Sequence, residues 1–94
     1  MIDKASAEKE HRQFLQNNRP DVLKKFQESG DLSQYLSSIG EQAEDRFNNL
    51  LSQMNNRPEV QNLPYLKKVS ALQSHQQSAE EIVRDEILHQ PRED

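Results

Sequence analysis

The sequence predicts an all-α fold, and two observations carry that prediction. The 94 residues include only two glycines and four prolines, and the long stretches between them are filled with helix-favouring Glu, Gln, Lys, Leu and Ala. β-branched residues are few, and no segment alternates apolar and polar side chains for long enough to indicate a half-buried strand. With 32% hydrophobic residues and no cysteine, the chain can build one small domain over residues 1–94, held by packing rather than by disulfides.

Start and stop signals divide this sequence into four predicted helices. Pro20 suits the first turn of a helix, and Gly30 suits the residue that ends one. In the third helix, apolar side chains recur at spacings of three and four, the strongest helical pattern in the chain, with Gly40 as a tolerated weak point. The predicted helices cover about residues 4–16, 20–29, 32–55 and 64–89.

The two long predicted helices are joined by a short link, which favours a long antiparallel helical hairpin. The two shorter N-terminal helices would cover its apolar face and complete a small helical bundle. Gln76 falls on the apolar seam of the fourth helix. It either fixes the register of the hairpin or lies in water where the helices splay apart, and its polar neighbours favour the second interpretation. The seam consists of Tyr65, Val69, Leu72, Gln76, Ala79, Val83 and Ile87, with Leu66, Ile82 and Leu88 on its flanks.

The sequence lacks the common catalytic patterns. Nucleophilic catalysis needs a Ser or Cys beside a base, but the chain has no Cys and no glycine-rich elbow. Two isolated glycines cannot form a phosphate-binding loop. We therefore expect no enzymatic activity and no cofactor.

A metal site is the remaining chemical hypothesis. Glu8 with His11, and Glu86 with His89, place a carboxylate and an imidazole three residues apart on one helical face. Two such pairs, with carboxylates from two further helices, are the ligand set of di-iron bundles. Metal ligands must point inward and be supported by further hydrogen bonds, whereas such pairs arise by chance in a highly charged chain. The sequence favours solvated helix surface at these residues and no metal.

Charge is distributed unevenly along the predicted hairpin, although the net charge is only -4. The fourth helix is basic near its start and acidic toward its end, and an antiparallel partner brings further carboxylates close. The resulting acidic face would meet a basic protein surface. The alternative is a solvated face with Arg46 and Arg84 as local partners. The predicted acidic face consists of Glu41, Glu44, Asp45, Glu80 and Glu81.

Two small basic groups make nucleic-acid binding the competing hypothesis. The short helix, Gly30 and the long helix could form a helix-turn-helix, but the supposed recognition helix carries only Arg46 as a cation. Such a helix would neutralise phosphates poorly, so this hypothesis is not favoured. The two groups are Arg19, Lys24 and Lys25, and Arg57, Lys67 and Lys68.

Several segments resemble the transposon-encoded TnpV family. Ser29–Leu36 reads SGDLSQYL and Ile39–Ala43 reads IGEQA, and Ala79–Leu88, AEEIVRDEIL, is similar to the closing A-x-E-I-V-x-x-E-L segment of that family. The resemblance covers about His11 to Leu88 and implies a small helical accessory protein of a mobile element in Gram-positive bacteria, with no catalytic residues. Some members have been likened to excisionases. The first block continues with Phe47, Leu50, Leu51, Gln53 and Met54.

The sequence and the resemblance together predict a non-enzymatic interaction module of a mobile element or phage. A specific version is inhibition of a host defence nuclease through its nucleic-acid groove. The alternatives are an excisionase-like DNA-binding accessory protein and a metal-binding helical bundle. No stretch approaches the roughly 18 apolar residues that span a bilayer, so we expect a cytoplasmic protein without a membrane partner. A second copy of the chain is a further expected partner, because the helical cover is thin.

Overall fold

The computed structural model describes residues 1–90, and they are 86% helical without a strand, which confirms the all-α prediction. The last four residues of the predicted 1–94 domain lie outside this range. Helices pack together as a small bundle, as predicted. The elements are α1 (Lys4–Asn18), α2 (Pro20–Ser29), α3 (Leu32–Asn55), α4 (Pro58–Gln61), α5 (Tyr65–Val83) and a π-helical segment (Arg84–Leu88).

Local signals explain how the first two helices begin and end. The Asp3 carboxylate accepts a hydrogen bond from the Ser6 amide at 2.8 Å, and the Ser6 hydroxyl accepts one from the Asp3 amide at 3.2 Å. This reciprocal capping box starts α1. Gly30 ends α2 with a φ of 82°, in the left-handed region that glycine adopts without strain.

α3 is the central helix, and α1, α2 and α5 all pack against it. α5 runs antiparallel to α3, since Asn55 near the end of α3 contacts His75, whereas Arg46 contacts Glu86 further along the chain. The main core lies between α1, α3, α5 and the π-helical segment, and a smaller cluster joins α1 to α2. The buried residues of the main core are Ile2, Ala7, Ile39, Ala43, Phe47, Leu50, Ala79, Val83 and Leu88.

Gly40 lets α1 and α3 approach closely. A Cβ atom at this position would lie 2.8 Å from the Lys4 carbonyl oxygen and 2.8 Å from Cγ of Glu8. The glycine that the sequence shows as a weak point in α3 is therefore the place where the backbone of α1 crosses it. Packing of α1 compensates for the roughly 1 kcal/mol that a glycine costs inside a helix.

The C-terminal half of the hairpin differs from the sequence prediction in three ways. The link contains the short helix α4, and Val60 of this helix is buried. The predicted single helix over 64–89 changes to π-helical geometry at Arg84, where the His89 amide bonds the Arg84 carbonyl at 2.7 Å. Tyr65, predicted on the apolar seam, has 78% of its surface exposed.

The molecule is a rod of 54 × 20 × 18 Å, because α5 extends beyond the end of α3. His75 is level with Asn55, since their Nδ1 and Oδ1 atoms lie 3.0 Å apart. The preceding residues of α5, 65–74, therefore project by roughly 15 Å at 1.5 Å per residue. We call residues 57–69, which comprise α4, the following turn and the first turns of α5, the distal end.

Candidate interaction surfaces

The predicted acidic face is partly neutralised by the N-terminal residues of the chain. The Lys4 amide donates a hydrogen bond to Glu44 at 2.8 Å, and the Lys4 ammonium lies 3.3 Å from the Glu41 carboxylate. The N-terminal ammonium of Met1 donates to Glu80. Ile2 is buried in the core directly after Met1, which fixes the ammonium group beside the carboxylates.

Glu80 is the most strongly held of these carboxylates. The hydrogen bond from the N-terminal ammonium lowers the pKa of Glu80 below its usual value, with the charges of that ammonium and of Arg84 and a hydrogen bond from Gln76 acting in the same direction. Gln76 is half-buried and donates a hydrogen bond to Glu80. The favoured sequence interpretation, in which Gln76 lies in water where the helices splay apart, is therefore only partly right. Within the predicted acidic face, Asp45 and Glu81 remain exposed and form no bond with another part of residues 1–90.

Both arginines near the acidic face form cross-helix ion pairs. Arg46 on α3 lies 3.1 Å from Glu86, and Arg84 lies 3.1 Å from Glu10 on α1. The His89 ring also lies 3.2 Å from Glu10. These ion pairs join α1 and α3 to the C-terminal segment.

His11 occupies the core, contrary to the prediction of solvated surface. Its side chain is fully buried. Nδ1 lies 2.8 Å from the Leu88 carbonyl and Nε2 lies 2.6 Å from the Tyr35 hydroxyl. Because a carbonyl can only accept, Nδ1 donates to Leu88, and in the neutral ring Nε2 accepts from Tyr35. Sequence reasoning missed this role, although His11 lies four residues from both Ala7 and Leu15 on the buried stripe of α1.

The ring nitrogens of His11 are thus occupied, which excludes the Glu8–His11 half of the metal hypothesis in this fold. In the other half, Glu86 is paired with Arg46, and His89 faces Glu10. Across residues 1–90, no group of three or more His, Asp or Glu side chains is placed to hold a metal ion.

An open groove of about 620 Å³ runs along α1 beside His89. The His89 ring stacks on Phe14, with centroids 5.4 Å apart. The one carboxylate of the groove, Glu10, is already held by Arg84 and His89. The rest of the groove is lined by three amide side chains, by Lys9 and by Ser6, whose hydroxyl bonds the Asp3 backbone.

The two basic groups lie at opposite ends of α3. α2, which carries Lys24 and Lys25, packs at the start of α3, where Phe26 stacks on Tyr35 at 4.1 Å. The other group follows the end of α3. They are separated by roughly the 36 Å length of that helix and do not form one continuous stripe.

The distal end carries an exposed apolar pair. Tyr65 and Leu66 are 78% and 79% exposed, and apart from Met1 they are the exposed large hydrophobic residues of the described chain. Val69 lies one helical turn away from both and is half-buried. Sequence reasoning placed these residues on or beside the seam, because the periodicity of α5 does not reveal where α3 stops.

No described helix has the length and apolar character needed to cross a membrane. The family model of the transposon-encoded protein TnpV matches residues 8–88. The chain belongs to the TnpV family. This confirms the resemblance seen in the sequence. Searches of curated proteins and of solved structures find no match.

The TnpV match covers α1 from Glu8 onward and every later element through the π-helical segment. It includes both His11 and Gly40, which join α1 to the hairpin, and it includes the whole distal end. Most of the core and the exposed apolar pair of this TnpV protein thus lie within the matched range, whereas the core residues Ile2 and Ala7 precede it.

Proposed function

We propose that this TnpV protein is a non-enzymatic interaction module of a mobile element and that it binds a host or element protein through its distal end. The exposed pair Tyr65 and Leu66 carries the proposal. Adjacent large apolar side chains on a projecting helix favour contact with another protein, because burying them releases water from apolar surface.

The expected contribution of this pair to binding is large for so small a surface. Burying one leucine side chain contributes about 1.5–3 kcal/mol, which corresponds to roughly 10- to 100-fold in a dissociation constant. Tyr65 adds a large, rigid side chain with a polar tip, a residue type that is enriched at binding hot spots. The rest of the rod would hold α5 in place rather than contact the partner.

The test is comparative affinity capture from cells that carry the element. The variant Tyr65→Ser/Leu66→Ser removes the apolar pair, and Gln73→Ser/Gln77→Ser is a matched control on the exposed face of α5. Proteins bound to the wild type and the control should be lost with the first variant, while circular dichroism shows the same helicity for all. Equal capture of partner proteins by the wild type and by both variants would refute the proposal.

A narrower form, inhibition of a host defence nuclease through its basic groove, depends on the acidic residues. Its support is the exposure of Glu41, Asp45 and Glu81. Reversing the charge at Asp45 and Glu81 leaves the contacts of Glu44 and Glu80 intact and should relieve inhibition of the nuclease. Full inhibition by this variant would exclude the narrower form and leave the distal-end proposal standing.

DNA binding by an excisionase-like accessory protein is the second candidate. Arg57 and Lys67 support it, because both are exposed at the distal end and form no ion pair with any described residue. Phosphate contacts make DNA affinity fall steeply with salt. Low-salt fluorescence anisotropy should detect DNA binding that is lost when Lys24, Lys25, Lys67 and Lys68 are replaced by Glu, and a flat titration would exclude this candidate.

A further inference from the structure

The distal end combines its apolar pair with unbalanced positive charge. Between residues 57 and 68 the chain carries three cations, Arg57, Lys67 and Lys68, and one carboxylate, Glu59. Lys68 donates to the amide oxygen of Gln61 at 3.1 Å, so its charge is not neutralised by that contact. Arg57 and Lys67 form no ion pair within residues 1–90.

At the other end of the rod, two of the three basic residues form ion pairs. Arg19 lies 3.2 Å from Asp21, and Lys24 lies 3.9 Å from Glu28. Large exposed apolar side chains accompany the basic residues at the distal end and are not found among the described residues of α2. Charge and apolar surface thus coincide at one place on the molecule. The start of α5 adds a weaker field of the same sign, because the peptide dipoles of a helix leave its N-terminus positive and no acidic residue in the first turn of α5 neutralises it.

We propose that the distal end binds an acidic amphipathic segment of a partner protein, whose apolar side chains cover Tyr65 and Leu66 and whose carboxylates pair with Arg57 and Lys67. The inference rests on the proposed function and names the chemistry of the partner. Charge complementarity directs such a segment to this end of the rod and sets its orientation.

Two other occupants fit the surface less well. A nucleic acid offers phosphates to the cations and a base to Tyr65, but it has little apolar surface for Leu66 to contact. A second copy of this chain offers exposed carboxylates such as Asp45 and Glu81, but among its described residues the exposed large apolar side chains besides Met1 are Tyr65 and Leu66 themselves, so it has little apolar surface to place beside those carboxylates. An acidic protein segment satisfies the apolar and the charged groups together.

Site-specific photocrosslinking in cells that carry the element tests the inference. Photoreactive benzoylphenylalanine replaces Leu66, with the same residue at the exposed position Gln73 as the positional control. Two charge-reversal variants are compared in this background, Arg57→Glu/Lys67→Glu and the matched Lys24→Glu/Lys25→Glu, which change the net charge equally. Mass spectrometry of the adduct identifies the peptide of the partner that contacts residue 66.

The expected adduct joins residue 66 to a peptide rich in Asp, Glu and apolar residues. Its yield should fall about tenfold with the distal charge reversal and stay within about twofold with the α2 control. A contact peptide without acidic excess, or a yield insensitive to Arg57 and Lys67, overturns the inference and leaves the proposed function intact. An adduct with DNA, RNA or a second copy overturns it as well. No adduct above that at position 73 overturns the proposed function itself.

Discussion

His11 joins three elements of the fold through its two ring nitrogens. The donated bond to the Leu88 carbonyl satisfies one of the acceptors at the C-terminal end of the π-helical segment, whose last carbonyls have no partner within the segment itself. The bond with the Tyr35 hydroxyl links the same ring to α3. A polar residue can lie in this core because both of its nitrogens have partners.

Replacing His11 by Leu tests this role. The substitution keeps an apolar volume in the core but removes the bonds of His11 to the Leu88 carbonyl and to the half-buried Tyr35 hydroxyl, and a buried polar group that loses its hydrogen bond costs about 1–3 kcal/mol. We expect the free energy of unfolding, measured in urea, to fall by about 2 kcal/mol or more. Tyr35→Phe, which keeps the aromatic ring and removes one bond, should cost less. A His11→Leu protein as stable as the wild type would show that the bonds contribute little.

Gly40 gives a second residue-level prediction. On helix propensity alone, Gly40→Ala would stabilise α3 by about 1 kcal/mol. Because the new Cβ would meet the Lys4 backbone at 2.8 Å, we expect a lower melting temperature instead. Asn48→Ala, at an exposed position of the same helix, should raise it slightly. A stabilising Gly40→Ala substitution would mean that α1 does not cross α3 at this point.

Glu80 makes stability depend on pH. Its pKa is lowered in the folded state, chiefly by the hydrogen bond from the N-terminal ammonium, so its contribution is present above the ordinary value of 4.5 and is lost as the pH falls through the lower folded pKa. Glu80→Gln should therefore destabilise the protein at pH 7, by at most about 1 kcal/mol for a partly exposed pair. The difference from wild type should vanish in acid. Urea unfolding at several pH values measures it, and a difference independent of pH would contradict this assignment.

At the scale of elements, the regular spacing of apolar residues predicts the helices, and it does so because one face of each is buried. The same pattern does not show which pairs of helices pack most extensively against each other. α1 has a thin apolar stripe, yet it packs extensively on α3 because Gly40 allows close approach and His11 replaces an apolar residue. Both features are visible in the sequence, but their meaning depends on which residues face each other.

The projection of α5 also could not be predicted from its own pattern. The seam repeats through Tyr65 and Val69 as regularly as through Ala79 and Val83, but only the later residues are covered by α3. The register depends on how α4 folds the link, which is a tertiary property. This is why the sequence pattern places Tyr65 on the seam and Leu66 on its flank although both are exposed.

The two halves of α5 should differ in local stability. Amide hydrogen exchange reports local opening, and none of residues 68–72 is fully buried, whereas Ala79 and Val83 in the range 76–83 are. We expect faster exchange in the first range, measured for the isolated protein by mass spectrometry or NMR. Equal protection over both ranges would mean that the distal half is covered, as it would be by a second copy of the chain.

At the scale of the whole molecule, the rod separates stability from recognition. Its radius of gyration of 16.1 Å exceeds the roughly 12 Å of a compact chain of this length. The core contacts and cross-helix ion pairs lie in the part where α1, α3 and the end of α5 meet. The exposed apolar pair and Lys67 lie roughly 12–15 Å beyond α3, and Arg57 follows the end of α3 directly. Substitutions in the first part should therefore change stability, and substitutions in the second should change binding.

Hydrogen exchange of the complex with the captured partner tests this separation most directly. Comparison of the free and bound chain should show new protection at residues 63–69, with exchange unchanged on α2 and at the exposed acidic residues Asp45 and Glu81. Protection centred on Asp45 and Glu81, with the distal end unchanged, would contradict the account and assign recognition to the acidic residues instead.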